Sequence, residues 1–252
     1  MKTLVTANQK GGVGKTSTLV HLAFDFFERG LKVAVIDLDT QANASYTLQA
    51  FQSGLAASAL FSGEAFDLDV PADGPHMALI ESDAALANME KIALGQAGQH
   101  FRAAIEALDA QGFDVCLIDT APSLGVSMAA ALLAADYVLS PVELEAYSIQ
   151  GIKKMVTTIA NVRKANPKLQ FLGMVPSKVD ARNPRHGRHL DELERAYPQL
   201  MIPAGVGLRS SIADALASGV PVWKIKKTAA RKAAKEVRAL AAHVFTKMEI
   251  SA

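Results

Sequence analysis

The chain has 252 residues, half of them hydrophobic, a net charge of +1 and a single cysteine. That length and apolar content suit a folded protein with one substantial core, and the lone thiol, Cys116, excludes intramolecular disulfides, Cys-rich zinc sites and a metal cluster held by several thiolates of one chain. No apolar run nears the roughly 18 residues needed to span a bilayer, and no cleavable leader precedes the first strand, so the expected location is cytoplasmic.

Residues 3–7 are the first apolar run and predict a strand. It leads into Lys10-Gly11-Gly12-Val13-Gly14-Lys15-Thr16-Ser17, which reads as a phosphate cradle. Successive glycines let backbone N–H groups turn toward a polyphosphate, Lys15 adds a point charge, and Thr16 offers a hydroxyl to Mg²⁺ at the start of a helix expected over 15–29. The alternative, a tight strand-to-helix turn with no ligand, leaves the Gly-Lys-Thr ending unexplained. The match to the P-loop pattern is incomplete: Gln9 stands where its first glycine belongs, and a second lysine follows at position 10. Lys10 lies too early to replace Lys15. Either it is a solvated loop lysine, or it reaches a nucleotide held by a second copy of the chain in a nucleotide-sandwich homodimer.

Gly30 ends that helix and 32–37 is a second strand, so the chain opens with a βαβ unit. The strand closes on Asp37-Leu38-Asp39, and two residues apart on extended chain both carboxylates point to the same side. Asp39 is assigned to orient the attacking water and Asp37 to support the Mg²⁺ shell. Residues 52–75 mix Gly, Ser, Pro and Asp with weak periodicity and are expected to form a surface excursion with one short helix. Further strands are expected at 77–80, 115–119, 137–141 and 171–175, separated by helices near 99–111, 126–135 and 149–165. Continuous apolar runs such as Val33-Ala34-Val35-Ile36 fit strands covered on both faces. The expected fold class is α/β, a P-loop NTPase with a mostly parallel twisted sheet, helices on both faces and ligands at the carboxyl ends of the strands. The strand at 115–119 ends in Asp119, where a P-loop ATPase needs a carboxylate to hold Mg²⁺ through its water shell; the alternative for such an acid is a turn or cap role. Cys116 in that strand reads as a small core residue. With no long linker and no fixed-period repeat, 1–252 is expected to be a single domain.

Charge is unevenly distributed. Residues 1–150 carry 7 Lys and Arg against 18 Asp and Glu, whereas residues 151–252 carry 19 against 7. The basic half suggests a polyanionic partner, unless its charges are solvated helix faces that neutralise the acidic half.

The segments Asn8 to Thr16, Asp37-Leu38-Asp39-Thr40-Gln41-Ala42-Asn43 and Phe113 to Pro122 together resemble the ParA/MinD family of deviant Walker-A ATPases, and the blocks 143–178 and 208–215 are similar to its plasmid-partition ParA branch. The resemblance implies an ATP-sandwich dimer in which Lys10 contacts the partner's nucleotide, Lys15 and Thr16 bind phosphate and metal, and Asp39 serves hydrolysis. It also implies that the ATP-bound dimer coats nucleoid DNA without sequence preference and that a ParB-type, KorB-like centromere-binding protein stimulates hydrolysis and release. Arg182 and Arg209 match the positions that contact DNA in related proteins, whereas Arg185, Arg188, Lys224, Lys226, Lys227, Arg231 and Lys232 are each either a solvated charge or a further phosphate contact. Thr40 and Ala42 depart from the family's usual Pro and Gly, which matters if position 42 needs a positive φ. The N-terminal helix-turn-helix region of larger ParA proteins is not expected. The main rival within the family is a MinD-like membrane ATPase, but Val237, Leu240, Ala241, Val244, Phe245 and Met248 form a modest stripe that reads as core packing rather than a membrane anchor. The rival from another class is a metabolic P-loop enzyme, which needs an acceptor pocket for which no motif is visible. The iron-protein branch needs bridging cysteines that Cys116 alone does not supply, and the His186/His189 pair is expected in a basic loop.

Overall fold

A computed structural model of the chain describes residues 1–145 and 148–250. Residues 146–147, within the 143–178 block, lie outside it. In chain order the elements are β1 (Lys2–Thr6), α1 (Lys15–Glu28), β2 (Lys32–Leu38), α2 (Asn43–Thr47), β3 (Gln52–Ala56), β4 (His76–Glu81), α3 (Leu94–Ala110), β5 (Val115–Thr120), α4 (Val126–Ala134), β6 (Tyr137–Glu143), α5 (Ser148–Val162), β7 (Gln170–Val179), α6 (Pro184–Ala196), β8 (Val206–Gly207), α7 (Ser210–Ala217) and α8 (Thr228–Lys247). The strands form one parallel sheet in the order β3-β4-β2-β5-β1-β6-β7-β8.

Alternation along the central strands explains their uninterrupted apolar runs. Val33, Val35, Val115 and Leu117 face a core shared with α1 and α8, whereas Ala34, Ile36, Cys116 and Ile118 face a second core closed by α3 and α4. Successive side chains on a strand point to opposite faces, so a strand covered on both sides needs apolar residues at every position. Cys116 is fully buried in the second core, as expected. The α8 stripe also packs inward: Val237, Leu240, Ala241, Val244 and Met248 are buried, and Phe245 meets Phe26 edge-on at 5.7 Å. No helix among the described residues is long and apolar enough to cross a membrane.

Two expectations need correction. The 52–75 segment begins with edge strand β3 and a 3₁₀ turn at Ala57–Phe61, whose Phe61 stacks on Phe101 at 4.9 Å; only the stretch beyond is the exposed excursion. His186 and His189 lie on α6 rather than in a loop. Asn183 caps that helix by accepting the Arg185 N–H at 3.1 Å, and Pro184 occupies its first turn, which offsets an apolar face so thin that only Leu193 is buried.

Candidate nucleotide site

The sheet order places β2, β5 and β1 side by side, so the loops leaving their carboxyl ends converge. In the register Asp37 sits opposite Asp119, and Thr6 opposite Asp119 on its other side. The loop between β1 and α1 closes over these ends. Asn8 shapes its entry, donating to the Pro141 carbonyl at 2.8 Å and accepting the Lys10 N–H at 2.9 Å. Gln9, at the position of the missing glycine, donates to Thr158 Oγ1 at 3.1 Å. Gly12 and Gly14 have φ of 75° and 95°, so both need the left-handed freedom of glycine. Gly14 has a second reason: a Cβ there would lie 2.5 Å from Ser177 Oγ of β7.

Gly11, Gly12, Gly14, Lys15, Thr16 and Ser17 line a cavity of about 450 Å³ together with Asp39, Gln41, Asn43, Tyr46, Thr47, Pro122, Leu216 and Ala217. Val13 does not line it and is buried beneath the loop. Within the site Thr16 Oγ1 donates to Asp119 Oδ2 at 2.5 Å, and Thr6 Oγ1 donates to Oδ1 at 3.2 Å. Asp119 is fully buried; burial and then the charge of Asp37 push its carboxyl up to about 7, against the Thr16 bond, the Lys15 charge and the Thr6 bond. Burial also lowers the Lys15 ammonium, partly offset by Asp119 and Asp39. A hydroxyl and an under-compensated carboxylate at a helix N-terminus form a donor set that fits Mg²⁺. Among the described residues no three His, Cys, Asp or Glu side chains converge as a metal cage, which suits an ion that keeps waters and phosphate oxygens as ligands.

The two carboxylates after β2 are differently placed. Asp37 is fully buried; its Oδ1 accepts the Asp39 N–H at 3.1 Å, and its Oδ2 accepts the Ser45 N–H and hydroxyl, each at 2.8 Å. Burial raises its pKa, with the Ser45 bonds opposing. Asp39 lines the cavity, and its Oδ1 accepts the Gln41 N–H at 3.0 Å. Ser82, just past β4, donates through its hydroxyl to the Asp39 carbonyl at 2.7 Å and through its N–H to Ser45 Oγ at 2.9 Å. Ser45 and Ser82 therefore fix the Asp39 loop, and sequence reasoning did not single them out. The available signal was their position beyond the carboxyl ends of β2 and β4, where ligands gather in parallel sheets.

Lys10 stands outside the cavity, its ammonium 3.0 Å from Glu143 and 2.5 Å from Glu145. Arg182 and Arg209 are also away from it. Arg182 is 89% exposed and pairs with Asp180 at 3.1 Å, whereas Arg209 is only 23% exposed and forks onto Glu236 at 2.5 and 3.0 Å. Lys224, Lys226 and Arg231 are exposed and form no ion pair among the described residues.

The AAA domain family matches residues 1–171. Protein IncC of Escherichia coli is 75% identical over 258 aligned residues, covering all of this chain and 71% of the relative. The chromosome partitioning protein ParA of Caulobacter vibrioides is 32% identical, covering 88% of this chain and 86% of the relative. Among solved structures, cobyrinic acid a,c-diamide synthase of Mycobacterium smegmatis with bound ATP analogue and magnesium superposes with a TM-score of 0.76 at 26% identity, covering 98% of this chain and 96% of that one.

Proposed function

This chain belongs to the ParA/MinD family of P-loop ATPases, and from that premise we propose that it is the ATPase of a plasmid-partition system, with its cycle controlled by an ATP-sandwich dimer. It uses ATP and Mg²⁺. The observation that carries the reading is the cavity that brings Lys15, Thr16 and Asp39 together with buried Asp119 directly behind Thr16. Lys15 and the N–H groups of Gly11, Gly12, Gly14 and Ser17 hold the phosphates; Thr16 and Asp119 hold Mg²⁺, with Asp37 supporting the shell; Asp39 orients water. Bound Mg²⁺ supplies charge neutralisation at the transferring phosphoryl group. Phosphoryl transfer needs mainly positioning and electrostatic stabilisation, which this set is sufficient to provide.

Lys10 extends the reading to a dimer, since it stands outside its own cavity, paired with Glu143 and Glu145. The DNA face is drawn from Arg182 and from the exposed cations that precede and open α8. That helix has no acidic residue in its first turn, and its basic residues lie near the positive end of the helix dipole. Such placement is unfavourable by about 0.3–1 kcal/mol per charge until a polyanion covers it. The further steps are non-specific binding of nucleoid DNA by the ATP-bound dimer and stimulation of hydrolysis by a ParB-type protein. A metabolic enzyme such as the M. smegmatis synthase shares the fold, so fold alone does not choose between the classes; the 75% identity to IncC favours partition.

The test is ATPase activity measured alone, with non-specific DNA, and with DNA plus the ParB-type protein of the same replicon. Stimulation by the last combination is expected. DNA-independent turnover without nucleotide-dependent dimerisation would remove the basis of the proposal.

A further inference from the structure

Lys178, the penultimate residue of β7, combines three observations that the roles described above leave unused. Its backbone has φ of 54°, the left-handed region that a lysine rarely adopts. This conformation accompanies delivery of its ammonium to the phosphate loop, 3.9 Å from where a Cβ on Gly12 would lie, while the preceding Ser177 fills the space beside Gly14. Finally, the ammonium pairs with Glu143 at 3.2 Å, the same carboxylate that holds Lys10 at 3.0 Å.

Glu143 is therefore shared by two lysines, and it is only 18% exposed. Burial alone would raise its pKa, but the bonds from Lys10 and Lys178 hold it below the usual carboxylate range. Removing the sole cation from a largely buried carboxylate leaves an uncompensated charge, which is what makes such pairs hard to break from one side. With two cations on it among the described residues, one can leave while the other still compensates its charge.

We propose that Lys178 is a positioning residue that keeps Glu143 neutralised, so that Lys10 can leave it and reach the nucleotide of a second copy of the chain. The inference rests on the sandwich-dimer reading above. Glu145, the second acid on Lys10, is 58% exposed and screened by water, so it opposes release less strongly. Lys178 thus acts on dimerisation through Lys10, without touching the cavity in which its own chain holds ATP.

The experiment measures dimerisation of the full chain by sedimentation against a non-hydrolysable ATP analogue, alongside analogue affinity at protein concentrations too low to dimerise. Lys178→Met is expected to raise the analogue concentration needed for half-maximal dimer roughly two- to fivefold, the range of one ion pair strengthened by removal of its competitor, with monomer affinity unchanged. Lys178→Arg keeps the charge and is expected to behave as wild type. Adding Glu143→Gln to Lys178→Met removes the carboxylate that retains Lys10 and is expected to restore dimerisation. Wild-type dimerisation by Lys178→Met, failure of Glu143→Gln to rescue it, or a parallel loss of monomer affinity overturns this inference alone. A wild-type protein that stays monomeric with the analogue, or a Lys10→Ala variant that dimerises normally, overturns the sandwich-dimer reading and this inference with it.

Discussion

The acidic and basic halves of the chain handle charge in opposite ways. In the first half Asp37 and Asp119 are fully buried, Asp37 held by the Ser45 hydroxyl and the N–H groups of Ser45 and Asp39, and Asp119 by the hydroxyls of Thr6 and Thr16 with Lys15 nearby, so the charge of each is set by its neighbours. In the second half Arg182, Lys224, Lys226 and Arg231 lie on the surface. Coupled buried charges make single positions decisive, whereas exposed charges share their work and are individually replaceable. On the proposed function, that difference separates a reacting centre from a surface that binds a polyanion without reading it.

The sharpest way to break that contrast is within the nucleotide site. Asp39→Ala is expected to lower ATP turnover by about 10²–10³-fold, the scale set by removing one transition-state-orienting group, while nucleotide affinity stays near wild type. Single-turnover hydrolysis paired with fluorescent-nucleotide binding measures both quantities. Wild-type turnover would show that water is oriented elsewhere and that Asp39 serves only the loop.

His21 joins the two halves and gives the next largest effect. It is 1% exposed on α1; its Nδ1 lies 2.7 Å from the Ser17 carbonyl, and its Nε2 accepts the Val222 N–H at 3.2 Å. Burial lowers its pKa from 6.5 to about 4, against the Ser17 bond. Between those two values the unfolded chain binds a proton that the folded chain refuses, so stability rises with pH through this window and is level above it. The linked loss on acidification from pH 6.5 to 4 amounts to about 3 kcal/mol. Chemical denaturation of wild type and His21→Gln across pH 4–7 isolates this contribution, because the variant should lose less stability over the window by that amount. Parallel slopes would rule out a neutral buried imidazole.

On the basic side the effects should be graded. Arg182→Glu is expected to weaken ATP-dependent DNA binding and to reduce the salt slope by about one for each phosphate that the side chain no longer neutralises. Adding Arg209→Glu should contribute less through DNA and more through repulsion from Glu236, since Arg209 is already committed to that carboxylate. Titrating DNA at several salt concentrations distinguishes these outcomes; unchanged affinity in the double variant would remove this face from the DNA interface.

The same contrast governs what was legible in the sequence. Strands β1, β2, β4, β5, β6 and β7 were readable because two-sided burial writes an apolar run, and Asp39 and Asp119 were readable because they end such runs. The edge strands β3 and β8 were not, since Gln52–Ala56 is polar and half-exposed and Val206–Gly207 has two residues. Helix α6 carried its start in Asn183-Pro184, but with one buried residue its apolar period fell below what a pattern can reveal. The Lys10–Glu143–Lys178 cluster was invisible for another reason. Its members are separated by 133 and 35 positions and meet only because β6 and β7 lie side by side near the phosphate loop. Local chemistry is legible where one strand end carries it; partnerships across the sheet require the topology.

The smallest expected effect tests whether the first half is as tightly determined in its backbone as in its charges. Ala42 has φ of 53° and ψ of 32°, a left-handed conformation at the start of α2, in the loop that carries Asp39. That conformation disfavours an L side chain by about 1–2 kcal/mol, while glycine adds about 0.4–1 kcal/mol of unfolded-chain entropy to be lost on folding. The difference predicts that Ala42→Gly stabilises the protein by about 0.5–1 kcal/mol, a rise in thermal midpoint of about 1–4 °C at this size. Turnover should change by less than about twofold, because Asp37, Ser45 and Ser82 hold the loop independently of position 42. A calorimetric midpoint that falls would mean the left-handed turn is not strained. A large rise in turnover would instead mean that Ala42 restrains Asp39, making the backbone, like the charges, a determinant of rate in this half.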